Sequence, residues 1–314
     1  MTNRLITVRP KSHEEWLAHR TLGIGSSEVG TIMGVNPWES PYQLWRRKTG
    51  RDPSKEETFA MKAGHYLEDA VAHFWTDETG HTIIKNSAGD WLAYREDEPH
   101  MRVSPDRIYF MGKSRTRKSQ GILECKTTQM KVDADDIPLY WFCQLQYQMG
   151  VYGVDYGAIA WLTAGREFGC RSFAFNPVFF EEIRRKVTEF WQVNIQQDIA
   201  PEATNPKDIL AMFDKHTGGK TTEADADTLM TLASIQMLKE QKKKIETELA
   251  EAEDKVKMAM QDSETLSCGG STLATWRTSK ESSKVDTKRL QAEFPEVYSK
   301  CLITVPGTRR FCVK

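Results

Sequence analysis

The segment GILECKTTQ, residues 121–129, sets Glu124 and Lys126 two positions apart in an otherwise apolar run. In a β-strand, residues two apart share a face, so Ile122, Glu124 and Lys126 point one way and Leu123, Cys125 and Thr127 the other. Charged side chains are almost never fully buried without a partner. Taken alone, a Glu-x-Lys triplet is more often an ion pair at a strand end than a catalytic pair. Upstream, however, Asp106 follows Pro105 at the start of another apolar run, 18 residues before Glu124 (124 − 106 = 18). The basic stretch MGKSRTRKSQG between them reads as a hairpin tip, which would bring Asp106 beside Glu124 on neighbouring antiparallel strands. Two carboxylates in one apolar environment repel unless one takes up a proton or a cation lies between them. Mg²⁺ suits such a site, because it takes oxygen ligands from one or two carboxylates and completes its octahedron with water and phosphate oxygens. The backbone carbonyl of Cys125 is a further oxygen in reach. Lys126 would then orient or help deprotonate an attacking water and balance the charge that develops on a phosphoryl group.

The elements that must position these groups are legible in outline. Residues 59–79 read as a helix ending at Gly80, with an inner stripe of Gly64, Leu67, Val71, Phe74 and Trp75. Glu68 lies on or beside that stripe and is a candidate additional ligand or water-holding base, equally a paired structural acid; Asp69 is expected to face solvent. After the lysine, IPLYWFCQLQYQMGVYG is helical by period and sets Gln144 and Gln148 on one side. Inward amides are more often hydrogen-bonded filler, and only Gln144 is assigned a functional role. Near the start, GIGSSEVGTIMG is a glycine-rich turn in which Ser26 and Ser27 are placed to cap a helix through Ile32.

Strands are expected at about 81–86, 90–95, 101–110 and 121–128, and YGAIAWLTAGREFGCRSFAF reads as a hairpin about AGRE, followed by a helix begun by Pro177. The order predicts a mixed α/β core. Composition changes after residue 204, which divides a domain at 1–204 from an extension at 205–314. The extension reads as a long helix from about Asp225 to Asp262, a strand pair near 265–278, a short helix near 286–299 and a last strand, TRRFCVK. In the long helix Leu238, Ile245, Leu249, Ala252, Val256 and Ala259 are spaced 7, 4, 3, 4, 3, a short heptad seam open to self-association or to packing on the core.

At 314 residues with 39% hydrophobic and 28% charged content, the chain is ordinary for a globular protein. No stretch approaches the roughly 20 apolar residues of a membrane helix, so no membrane partner is expected. The six cysteines form no C-x-x-C pair, and the start lacks a secretory apolar core; reduced thiols in a cytoplasm are the expectation. A formal net charge of −1 means that a nucleic-acid partner would be held by local basic patches.

In order, RTLGIGSSEVGTIMGVNPWESPYQLW, GHYLEDAV, SPDRI, LECKTT and YWFCQLQYQMGVYG resemble the YqaJ-like viral recombinase family, relatives of bacteriophage lambda exonuclease within the PD-(D/E)xK nuclease superfamily. The resemblance spans about residues 13–200. It implies a restriction-endonuclease-like fold, a mixed central sheet flanked by helices. It maps Asp106 and Glu124 to Mg²⁺ ligands, with Mn²⁺ as a substitute, Lys126 to water activation, Glu68 to the helix acid and Gln144 to the motif after the lysine. Arg20 and Ser27, seven apart, take the place of the pair that holds the 5′-phosphate of a DNA end, with Ser26 beside them and Lys131 as a further DNA contact. Arg115, Arg117 and Lys118 stay outside that set.

The activity implied is Mg²⁺-dependent digestion of linear double-stranded DNA, 5′ to 3′, leaving 3′ single strands for recombination. The resemblance also implies a homo-oligomer, commonly a trimeric ring, a single-strand annealing protein as partner, and a phage or prophage origin in a bacterial host. Two other readings stay open: an endonuclease on the same fold, and a non-catalytic DNA-binding or scaffold protein. Residues from about 205 onward exceed the minimal lambda-type nuclease, and their task is not readable from sequence.

Overall fold

The computed structural model describes residues 4–53, 58–84, 91–112, 115–305 and 307–313. The chain divides into two compact units, 1–212 and 213–314. The first is mixed α/β, as the sequence predicts. Its main sheet has the order β3 (Thr82–Ile84), β6 (Arg107–Phe110), β7 (Gln120–Thr128), β8 (Tyr156–Thr163), β9 (Glu167–Ala174). β7 runs antiparallel to β6 and parallel to β8, and the parallel step is bridged by α5 (Leu139–Tyr152), as a parallel connection requires. A second sheet orders β1 (Leu5–Val8), β4 (Leu92–Arg95), β5 (Glu98–Val103) and the two-residue β2 (Ile24–Gly25).

The alternation of β7 sorts the core. Ile122, with Ile159 and Trp161 of β8, joins the large cluster formed with α5. Leu123, with Ala158, Ala160 and Leu162, packs on the other face against Val71, Ala72 and Trp75 of α4 (Phe59–Thr79). Helix α4 begins with Thr58, whose side chain accepts from the Met61 N–H, and ends at Gly80 with φ of 67°, a left-handed cap that glycine adopts at no steric cost. Its buried stripe is narrower than the sequence suggests, since Leu67 and Phe74 are exposed.

Three further expectations change. The single strand expected over 101–110 breaks at Ser104–Asp106 into β5 and β6, which belong to different sheets. The helix expected near 286–299 is two short helices, α9 (Thr287–Glu293) and α10 (Pro295–Lys300), parted where Pro295 lacks the N–H that would continue the first. Among the described residues of TRRFCVK there is no strand. The strand expected to 86 is described only as far as Ile84.

The first unit continues to Met212, past the compositional boundary at 204, because α7 (Pro206–Met212) is tied back by Asp208. That fully buried carboxylate accepts from Ser40 Oγ at 2.8 Å, the Thr204 N–H at 3.0 Å and Asn205 Nδ2 at 3.1 Å. Ser40 in turn caps α3 (Pro41–Lys48). The second unit holds α8 (Ala226–Met260), started by Asp225, and the hairpin β10 (Thr265–Cys268) with β11 (Ser271–Thr275). No helix among the described residues is long and apolar enough to cross a membrane.

Candidate active site

Strand β7 delivers Glu124 into the face covered by α5, and α5 meets it with amides. Glu124 is 2% exposed; its Oε1 accepts from Lys126 Nζ at 2.7 Å and from Gln144 Nε2, and its Oε2 accepts from Gln148 Nε2 at 2.8 Å. Lys126 Nζ also donates to Gln144 Oε1 at 2.9 Å, so Glu124, Lys126 and Gln144 close a three-membered ring of hydrogen bonds. Gln148 reaches past the carboxylate to Ser26 Oγ at 3.3 Å, joining the centre to the glycine-rich turn. The sequence set Gln148 aside as filler; it donates to Glu124 just as Gln144 does. Its position one helical turn beyond Gln144 was the signal available.

Asp106 stands at the end of β6, where its Oδ2 accepts the Cys125 N–H at 2.7 Å. Burial pushes its carboxyl well above the usual carboxylate range; the nearby Glu124 and Glu68 charges add to this, against Lys126 and the Cys125 N–H. Burial pulls Lys126 down, but Glu124 and Asp106 together outweigh it and hold the ammonium above the ordinary lysine value. In this arrangement Lys126 is a cation and a donor. That places it to orient water and to balance charge.

Glu68 occupies the α4 side of the sheet, 27% exposed at its side chain and paired with Arg107 Nη1, while Arg107 Nη2 holds Asp69. Asp69, expected in solvent, is thus half of an acidic clamp on a 7% exposed guanidinium. Arg107 lies directly across from Leu123 in the β6–β7 register, which puts it on the face opposite Glu124. Asp106, at the strand end, is the acid that feels both faces.

The glycine-rich turn is also built differently from the simple cap. Ser26–Glu28 form a 3-10 turn that leads into α2 (Val29–Ile32), and neither serine caps it through its side chain. The capping role falls to Glu28, whose Oε2 accepts the Gly25 N–H at 2.8 Å and Lys48 Nζ at 2.9 Å, while Arg47 Nη1 reaches Oε1 at 3.3 Å. Burial raises Glu28, yet Lys48, Arg20 and Arg47 together bring it below its ordinary value. That leaves Ser27 exposed to accept from Arg20 Nη2 at 3.1 Å, with the guanidinium stacked over Trp16 at 4.6 Å. A Cβ on Gly25 would lie 3.2 Å from Arg20 Nη2, so glycine leaves the space in which Arg20 rests. Lys131 is exposed beyond the end of β7. Arg117 is a tether, donating to the Tyr152 carbonyl at 2.6 Å over the Tyr152 ring.

Glu28 and Lys48 escaped the sequence because the pair joins a turn to a helix 20 residues away (48 − 28 = 20). Burial pulls Lys48 below the ordinary lysine value against Glu28. Lys48→Met is expected to lower stability by about 2–3 kcal/mol, less than the full cost of a broken buried pair because Arg47 still faces Glu28. Adding Glu28→Gln should recover part of the loss; urea unfolding of the two variants measures it, and a double variant no more stable than Lys48→Met would rule the pairing out.

A mixed sheet whose central strand ends carry Asp106, Glu124 and Lys126 defines a class of proteins built around one acidic, lysine-bearing centre. In comparison with known proteins, residues 15–155 match the model of the YqaJ-like viral recombinase domain. The YqaJ protein of Bacillus subtilis (strain 168) is 27% identical over 300 residues, covering 92% of this chain and 90% of its own length. Among solved structures, an alkaline exonuclease from Laribacter hongkongensis matches with a TM-score of 0.42 at 17% identity, covering 57% of this chain and 91% of that one. A phage related exonuclease from Haemophilus somnus 129PT matches with a TM-score of 0.41 at 13% identity, covering 56% and 96%.

Proposed function

We propose that the chain is a Mg²⁺-dependent deoxyribonuclease that digests linear double-stranded DNA from its ends, 5′ to 3′, and leaves 3′ single strands for recombination. The observation that carries this reading is the convergence on β7 of Asp106, held by the Cys125 N–H at 2.7 Å, with Glu124 and Lys126, themselves 2.7 Å apart, an arrangement of acids that a divalent cation would relieve. Among the described residues no three carboxylate, imidazole or thiol groups form a ready-made cation cage. The donor set still fits Mg²⁺, which is satisfied by one or two carboxylates and fills its other positions with water and phosphate oxygens.

Asp106, Glu124 and the Cys125 carbonyl would hold the ion, with Glu68, engaged by Arg107 here, as the additional acid; Mn²⁺ would serve in its place. Bound there, the ion supplies Lewis-acid activation of water and neutralises phosphoryl oxygens. Gln144 and Gln148 keep Glu124 in one orientation. Lys126 donates to the attacking water or to a phosphoryl oxygen and offsets the charge that builds on the phosphorus. Arg20 and Ser27 take the 5′-phosphate, the guanidinium as a fork and the hydroxyl as a donor, with Ser26 and Lys131 as outlying contacts. The same reading carries a homo-oligomeric, ring-forming assembly, a single-strand annealing protein as partner, and work in the cytoplasm of a bacterial host.

Linear duplexes labelled at either end, with and without 5′-phosphate, are compared with a closed circle in Mg²⁺ and in chelator. Digestion of linear DNA alone, in Mg²⁺ alone, is expected; cutting of the closed circle would establish an endonuclease, and no digestion a binding protein. Arg20→Ala or Ser27→Ala should lower the preference for a 5′-phosphate by about tenfold, the loss of one charged hydrogen bond. An unchanged preference would remove these residues from end recognition.

A further inference from the structure

Helix α8 carries its apolar residues in the open. From Gln236 through Val256 every residue is exposed, including Leu238, Ile245, Leu249 and Val256 at 62, 63, 58 and 41%. With Ala252 and Ala259 these keep the alternating three- and four-residue spacing of a coiled-coil seam. Helices draw most of their stability from burying such a face.

What covers the seam is written in the charges beside it. Residues 239–244, KEQKKK, hold four lysines and one glutamate, and residues 246–254, ETELAEAED, hold five acids and no base. A parallel copy would set lysine run on lysine run and Glu248 near Glu253. An antiparallel copy sets each basic run on an acidic one.

We propose that α8 pairs antiparallel with α8 of a second copy of this chain. The register that fills the seam places Ile245 against Leu249 on both sides of the two-fold axis, Leu238 against Val256 and Ile235 against Ala259. Lys242, at a seam position, meets Ala252, whose small side chain leaves room for the lysine stem to reach water. Lys239 faces Glu253. The register has one electrostatic cost: Glu246 and Glu248 each meet their own counterpart near the axis.

The pairing is independent of any nuclease activity, and its test uses the full chain. Unlabelled and ¹⁵N-labelled protein are mixed, exchanged and treated with a zero-length carbodiimide, and the links are read by mass spectrometry. A mixed-isotope link between Lys239 and Glu253 is expected with or without duplex DNA. Within one straight helix these residues stand roughly 21 Å apart along the axis, too far for a direct amide. Ile245→Lys with Leu249→Lys, both at exposed positions, should lower the yield of that link at least tenfold. Glu246→Gln with Glu248→Gln should raise it several-fold. Links confined to one copy, links from Lys239–Lys244 to residues 1–212, a link that forms only with DNA, or an unchanged yield in the Ile245/Leu249 variant would each overturn the pairing.

Discussion

Glu124→Gln is expected to lower Mg²⁺-dependent hydrolysis of linear duplex by at least about 10³-fold, the scale of losing a group that organises transition-state charge. Gln keeps the shape of the side chain and removes its charge. It also places an amide NH₂ among donors, because Lys126, Gln144 and Gln148 all give hydrogen bonds to Glu124. The variant therefore leaves Lys126 without its closest carboxylate in a site where a broken buried pair costs about 3–5 kcal/mol. Activity is to be measured below the variant's own unfolding midpoint, alongside binding to a labelled DNA end. Folded protein that binds ends and no longer cuts supports the assignment. Folded protein that cuts as well as the parent would end the nuclease mechanism at this site.

Asp106→Asn is expected to do two opposite things: lower activity by about 10²–10³-fold and raise stability at neutral pH in chelator. The carboxyl of Asp106 is held well above the ordinary carboxylate value by burial and by Glu124 and Glu68. Over the window from about pH 4 upward the folded chain thus retains a proton that the unfolded chain has released. Stability falls as pH rises wherever the folded state binds more protons, so Asp106 destabilises the fold progressively from about pH 4 to its raised value. Asn removes that slope and still accepts from the Cys125 N–H through its carbonyl oxygen. The gain in Tm should be near zero at pH 4 and about 2–4 °C at pH 8, the effect of about 1 kcal/mol. Added Mg²⁺ should raise the parent's Tm and leave the variant's nearly unchanged, since binding to the folded state alone stabilises by mass action. A variant less stable than the parent at pH 8 in chelator would show that Asp106 is not the crowded acid.

These two acids and their lysine were legible because strand geometry is local. A period of two puts Glu124 and Lys126 on one face whatever surrounds them, and the β6–β7 hairpin brings Asp106 to the same strand end. Helix α5 was legible for the same reason, its 3.6-residue period setting Gln144 and Gln148 one turn apart. Which amide the carboxylate would use was not, because both lie equally well on that side; in the folded chain it uses both. Glu68 shows the limit. Periodicity put it inward, but inward for α4 is the face of Leu123, and there Arg107 takes it together with Asp69.

By itself the sequence determined the class of the first unit, the course of β7 and α5, the Asp106–Glu124–Lys126 centre and the resemblance to a recombinase domain. All of these rest on residue types at short, regular spacings. Only the tertiary structure decided that one expected strand is split between two sheets, that Glu28 rather than a serine caps the glycine-rich turn, and that Lys126 is held between Glu124 and Gln144. Each of those outcomes depends on charges and donors brought together from distant parts of the chain in a water-poor interior. There a single ion pair outweighs local preference, and spacing along the chain carries no record of it.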